Sequence, residues 1–200
     1  ALMPSGQPPV VTPDASPTQQ RLERELIDKK FSAFKFVRVP GDYYDQPLEY
    51  RMGCVGAPSI HHLCKSIIME NTRAHESVDG WSDRNNSKYY TVLVQYTARL
   101  NPEKIKNLVR DLSGRKISKQ YFNFRLCKPE VNDALTGYKH NAVSPVGMAE
   151  PDVPMLMSHK IAELTPRLFF LGGGEVDLKL GMPTDEFIRS YNPIIADITY

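Results

Sequence analysis

Cysteine is scarce. The 200 residues hold three, Cys54, Cys64 and Cys127, and an odd set at irregular spacing argues against a disulfide framework. No CxxC pair is present, so a thiolate zinc site is not expected. The three read as reduced, partly buried thiols, and the expected location is cytoplasmic. Long apolar runs are also missing: nothing approaches the roughly 20 apolar residues of a membrane-spanning helix. No charged stretch followed by an apolar one opens the chain, so no secretory signal is expected. An excess of one charge is absent too. The formal net charge is +2, so nucleic acid has to be held by a local basic patch, not by the field of the whole molecule. There is no GxGxxG, no Ser-His-Asp arrangement and no cluster with metal-ligand spacing.

What is there suits a globular domain. Hydrophobic residues make up 41% and charged residues 24%, enough to build one sizeable core. Residues 1–17 are rich in proline (Pro4, Pro8, Pro9, Pro13, Pro17) and carry little to anchor a core, so they read as a flexible lead-in. Residues 18–200 read as one domain. Ser16, Pro17 and Gln19 mark a helix start with a capping-box pattern. Leu22, Leu26 and Ile27 give that helix its apolar stripe.

Downstream the period changes repeatedly. Phe34, Phe36, Val37 and Val39 read as a strand stopped by Pro40 and Gly41. A short helix is expected over 58–64, a buried strand over 66–69, an exposed loop over 73–88 and a strong strand over 89–98. Asn101 and Pro102 open a helix with Ile105, Leu108, Val109 and Leu112 at helical spacing. The stretch 116–125 is basic and aromatic. A short helix over 129–135, a turn at Gly137 and an extended 142–146 follow. Then come a strand over 153–157, a helix over 159–164, a hairpin around the glycines at 172–174, and a helix over 185–189 capped by Thr184. Strands and helices alternate without a clean βαβ rhythm. That favours an α/β fold with a mixed, partly antiparallel sheet curling toward a barrel, with helices packed around it.

Three segments carry chemical interest. Gly137, Tyr138, Lys139, His140, Asn141, Ala142, Val143, Ser144 and Pro145 make a sharply shaped loop, in which Pro145 holds Ser144 extended. It presents backbone groups to a ligand or serves as a plain turn. Gly172, Gly173 and Gly174 lie between apolar strands, where glycines permit the close approach of another backbone or a ligand. Lys65 heads the apolar run Ser66, Ile67, Ile68, Met69, so its ammonium must reach solvent or meet an anion.

Read together and in order, these segments resemble the YbaK/prolyl-tRNA-synthetase editing-domain family, over roughly residues 60–188. The segments 88–96 and 171–180 look like a eukaryotic branch of it. Members hydrolyse the ester between a wrong amino acid and the terminal adenosine of a tRNA, such as alanine or cysteine carried on a proline tRNA. The resemblance implies that Lys65 holds the substrate near its terminal nucleotide. It implies that Gly137, Asn141, Ala142, Val143, Ser144 and Pro145 form the loop that positions the aminoacyl group and the attacking water. Gly172, Gly173 and Gly174 would form the opposite wall. No metal and no organic cofactor are implied. The implied partner is tRNA, through its acceptor end, with room for an aminoacyl-tRNA synthetase and no membrane. The family commonly has Gly-Gly or Gly-Ala where this chain has Asn141-Ala142, so Asn141 is the position expected to make it differ.

Such a site needs no side-chain nucleophile. Orienting the ester, water and ribose hydroxyl, with backbone dipoles at the oxyanion, is sufficient chemistry for an activated ester. His140 is a candidate proton carrier, and Ser144 more naturally ties its own turn. Lys116, Lys119, Tyr121, Phe122 and Arg125 either meet the acceptor stem or put their aromatics in the core. The rival reading is a non-catalytic tRNA-binding or synthetase-associated module of the same fold.

Overall fold

The computed structural model describes residue 2 and residues 6–200; the other residues of the lead-in, Pro4 among them, lie outside the described residues. Ser16 caps α1 (Pro17–Asp28), its Oγ accepting from the Gln19 backbone N–H at 3.2 Å. The reciprocal half of a capping box does not form, because the Gln19 side chain donates to Glu23. Glu23 also accepts from the Thr12 backbone N–H at 2.6 Å, which ties the preceding chain to the helix. Leu22 and Leu26 on the inner face are fully buried.

Among the described residues, eight strands follow the expected mixture but divide into two sheets. The smaller has the order β1 (Lys35–Arg38), β7 (Leu178–Pro183), β6 (Leu168–Gly172), antiparallel throughout. The larger has the order β4 (Phe124–Leu126), β2 (Cys64–Asn71), β3 (Tyr89–Gln95), β5 (Met155–Ser158), β8 (Ile194–Ala196). There β4, β2 and β3 pair antiparallel, and β3, β5 and β8 pair parallel. The curl toward a barrel stops short of closure, and a single bridge between Leu63 and Phe170 joins the sheets.

Helices fill both faces of the larger sheet. Asn101 caps α3 (Pro102–Leu112), and Ile105 and Val109 sit against Tyr90, Val92 and Leu156. The alternate strand residues Leu93 and Met157 face the other way, into a core with Leu22, Leu26, Phe169 and Phe187, as the two-residue period of a strand requires. Phe187 comes from α6 (Thr184–Tyr191). A third cluster, around Val39, Tyr43, Val55, Leu63 and Phe170, packs α2 (Leu48–Val55) under the smaller sheet.

Several local expectations need correction. The helix expected over 58–64 is a single 3-10 turn, Ile60–His62. The extended 142–146 is a loop, bent by left-handed residues at Asn141 (φ 66°) and Gly147 (φ 69°). Thr184 is the first residue of α6 rather than its cap; its hydroxyl has no partner among the described residues. The exposed loop over 73–88 ends in two buried residues, Asn86 and Ser87. No helix among the described residues is long and apolar enough to cross a membrane.

Candidate active site

Strand β2 pairs with β3 along almost its whole length, but with β4 only from Met69 onward. On that same flank Leu63 bridges to Phe170 of the smaller sheet. Between the two, residues 65–67 have β3 on one side and no strand on this flank, and a cavity of about 430 Å³ opens there. It exists because the sheet fails to close. Its wall brings together Lys65 and Ser66 of β2, His140, Asn141 and Val143 of the loop after α4 (Pro129–Thr136), and Gly172 of β6. These three stretches are far apart in the chain.

The loop is shaped from both sides. Gly137 ends α4 in the left-handed region, φ 76°, with its N–H donating to Asp133 O at 2.9 Å. Tyr138 turns inward, and its hydroxyl donates to Val146 O at 2.6 Å. Ser144 is fully buried and accepts from the Val146 N–H at 3.2 Å, a local turn bond. The glycine run meets this loop directly. Gly174 N–H donates to Ala142 O at 3.0 Å, and a Cβ on Gly172 would lie 2.2 Å from the Val143 carbonyl oxygen. Only glycine fits such an approach.

The candidate residues therefore divide. Lys65, His140, Asn141, Val143 and Gly172 line the cavity. Gly137, Ala142, Ser144, Pro145, Gly173 and Gly174 stand behind them and set the loop's course. Ser144 is buried and its hydroxyl oxygen accepts from the Val146 N–H, a bond that holds the turn. His140 is exposed at the rim.

The structure adds groups that the sequence pattern did not single out. Lys179 of β7 is 3% exposed and lines the cavity. Its ammonium donates to the Tyr44 hydroxyl and, at 3.3 Å, to Asn141 O. Tyr44 in turn donates to the same Asn141 O at 2.9 Å. Burial, then the neighbouring Arg51, lowers the Lys179 pKa to about 8 against an opposing pull from Asp177. Burial above all, and then Tyr96, holds Tyr44 far above the ordinary tyrosine range, so it stays a neutral donor. The Arg51 guanidinium lies over the rings of Tyr43, Tyr44 and Tyr96 at 5.4–5.6 Å, and the Lys65 ammonium lies 5.3 Å from the Tyr96 ring. Lys179 carried a readable signal. A lysine between Leu178 and Leu180 in an apolar strand raises the same question as Lys65.

The basic-aromatic stretch resolves into two layers. Phe122 and Phe124 are core residues, while Lys116, Lys119 and Arg125 are exposed. Leu126 and Pro129 line the cavity, and the exposed Arg125 and Lys128 are their chain neighbours.

No protein-family model matches the chain, and no curated protein sequence does either. Solved structures do. The chain is 21% identical to a candidate trans-editing enzyme for prolyl tRNA synthetase, with a TM-score of 0.68, covering 94% of this chain and 99% of that one. A hypothetical protein matches at 17% identity and TM-score 0.64, over 90% and 99% of the two chains. A scaffold protein used in computational epitope grafting matches at 19% identity and TM-score 0.67, over 93% and 99%. At these identities the likeness is one of fold, and it confirms the mixed α/β architecture.

Proposed function

We propose that this chain is an aminoacyl-tRNA deacylase that hydrolyses mischarged tRNA, with alanine or cysteine on a proline tRNA as the first substrates to test. The observation that carries this reading is the convergence of Lys65, the Asn141–Val143 loop and Gly172 on one cavity in the gap between the sheets. The fold shared with a candidate trans-editing enzyme supports it.

In this reading the terminal nucleotide enters beside Lys65, whose ammonium takes phosphate charge. The aminoacyl group lies against the loop of residues 139–144, held rigid by Gly172 and Gly174. Catalysis is orientation of an already activated ester, with water and the neighbouring ribose hydroxyl in place. Selection works by the size of the cavity, where one methylene is worth about 1–3 kcal/mol. Asn141 lies on the cavity wall, where the resembled family commonly has glycine.

The test is single-turnover hydrolysis of Ala-, Cys- and Pro-charged proline tRNA by the purified chain, beside Lys65→Ala. Hydrolysis of at least one mischarged species is expected. Lys65→Ala should be slower by about 10- to 100-fold, the range of one charge-assisted hydrogen bond of roughly 1.5–3 kcal/mol. Tight tRNA binding with no hydrolysis of any species would favour the non-catalytic module instead.

A further inference from the structure

We infer that the cavity contains a phosphoryl-binding subsite centred on Lys179, to which Lys65, the lysine that the proposed function uses, also contributes. Three cations, Lys65, Lys179 and Arg51, gather around Tyr44 and Tyr96. Among the described residues none of the three forms an ion pair with a carboxylate. Asp177, which pulls on Lys179, is bound to Arg38 at 2.7 Å. Asp133 is the one carboxylate on the cavity wall, on α4, exposed and accepting from Asn132.

A buried cation without a partner is unfavourable, and the usual compensation is an anion. Here the cavity, which Lys179 itself lines, offers a place for that anion. Its ammonium uses donors on Tyr44 and Asn141 and has three in all, so one remains. A second cation lies on the same wall: Lys65, whose ammonium sits 5.3 Å from the Tyr96 ring. Arg51 is spent on the backbone oxygens of Gln46 and Tyr44, so it adds field rather than contact.

Two ammonium groups on one wall, with the Arg51 guanidinium beside them, fit a phosphoryl group better than a carboxylate. A carboxylate offers two oxygens in one plane, whereas a phosphate monoester offers three around a tetrahedron, with nearly two negative charges. The ligand is therefore a phosphate monoester, free or carried by a mononucleotide. The subsite stands on the cavity alone and does not depend on ester hydrolysis.

The experiment is calorimetric titration of the purified chain with 5′-AMP, adenosine, inorganic phosphate and acetate, repeated with Lys179→Met, Lys65→Met and Lys106→Met. Lys106 serves as the control because it is paired with Glu103 on α3, away from the cavity. AMP should bind at least 10-fold more tightly than adenosine, with phosphate competing and acetate not. Lys179→Met should lower AMP affinity 10-fold or more while leaving adenosine unchanged and the thermal melt cooperative. Lys106→Met should change nothing. Equal binding of AMP and adenosine, no binding of AMP, or an effect of Lys65→Met alone would overturn the inference. If phosphate binds as tightly as AMP, the subsite serves a free phosphate or phosphomonoester. If AMP is tighter, the subsite serves a nucleotide. Either result supports the phosphoryl class, and hydrolysis of charged tRNA is read separately.

Discussion

Lys179 shows what a single buried charge does to a fold. Its pKa falls from 10.5 to about 8 because burial disfavours the ammonium and Arg51 repels it. Below pH 8 both the folded and the unfolded chain hold the proton, and the destabilisation is fully present. Between 8 and 10.5 the folded chain has released a proton that the unfolded chain keeps, so stability rises with pH. The size of the shift corresponds to a few kcal/mol, on the order of 3. Lys179→Met should therefore raise stability at pH 7 by about 1–3 kcal/mol and flatten the rise between pH 8 and 10.5, both read from urea denaturation. A variant less stable than wild type would contradict this account. Gly172→Ala tests the opposite kind of position. Its added methyl would meet the Val143 carbonyl oxygen, and that atom belongs to backbone, which cannot swing aside. A destabilisation of about 1–3 kcal/mol is expected, together with weaker cavity binding as the loop is pushed away.

At the level of elements, the two faces of the larger sheet do separate jobs. Helix α3 packs Ile105 and Val109 on one face and contributes no residue to the cavity wall. Ile105→Ala should lower stability by about 2–5 kcal/mol, and Asn101→Ala by about 1 kcal/mol through removal of the cap. Ligand affinity at temperatures where the variants remain folded should stay as in wild type, measured by the same titrations. Strand β2 is different, because the stretch paired only with β3 forms part of the cavity wall. Helix α3 was legible in the sequence because cap, proline and apolar spacing agreed. Helix α2 and strand β8 were not. The first is eight residues long and the second three, and such short pieces are held by packing rather than by local pattern.

For the whole molecule, a net charge of +2 leaves recognition of nucleic acid to local geometry. The exposed Arg125 and Lys128 are chain neighbours of Leu126 and Pro129, which line the cavity. Arg125→Glu with Lys128→Glu should weaken tRNA binding and flatten its dependence on salt, by roughly one unit of the logarithmic slope for each phosphate that is no longer neutralised. An unchanged slope in a salt titration would place the RNA elsewhere. Hydrolysis of a minimal aminoacyl ester should be affected far less than hydrolysis of charged tRNA, because these residues stand outside the cavity wall.

The sequence by itself determined the mixed α/β class, the strands and helices with strong periodicity, and the three segments from which the cavity is drawn. These are local properties: caps, two-residue alternation and glycines where backbone must come close. Only the tertiary structure decided that the sheet stays open beside residues 65–67. It also decided which loop residues face inward and which only hold the loop's shape. The meeting of Lys179 with Tyr44 and Asn141 belongs to the same level. Those three residues come from separate elements of the chain, and no spacing between them is encoded locally. Their contact follows from long-range strand pairing and from burial, which alone turns an ordinary lysine into an unpaired charge facing a cavity.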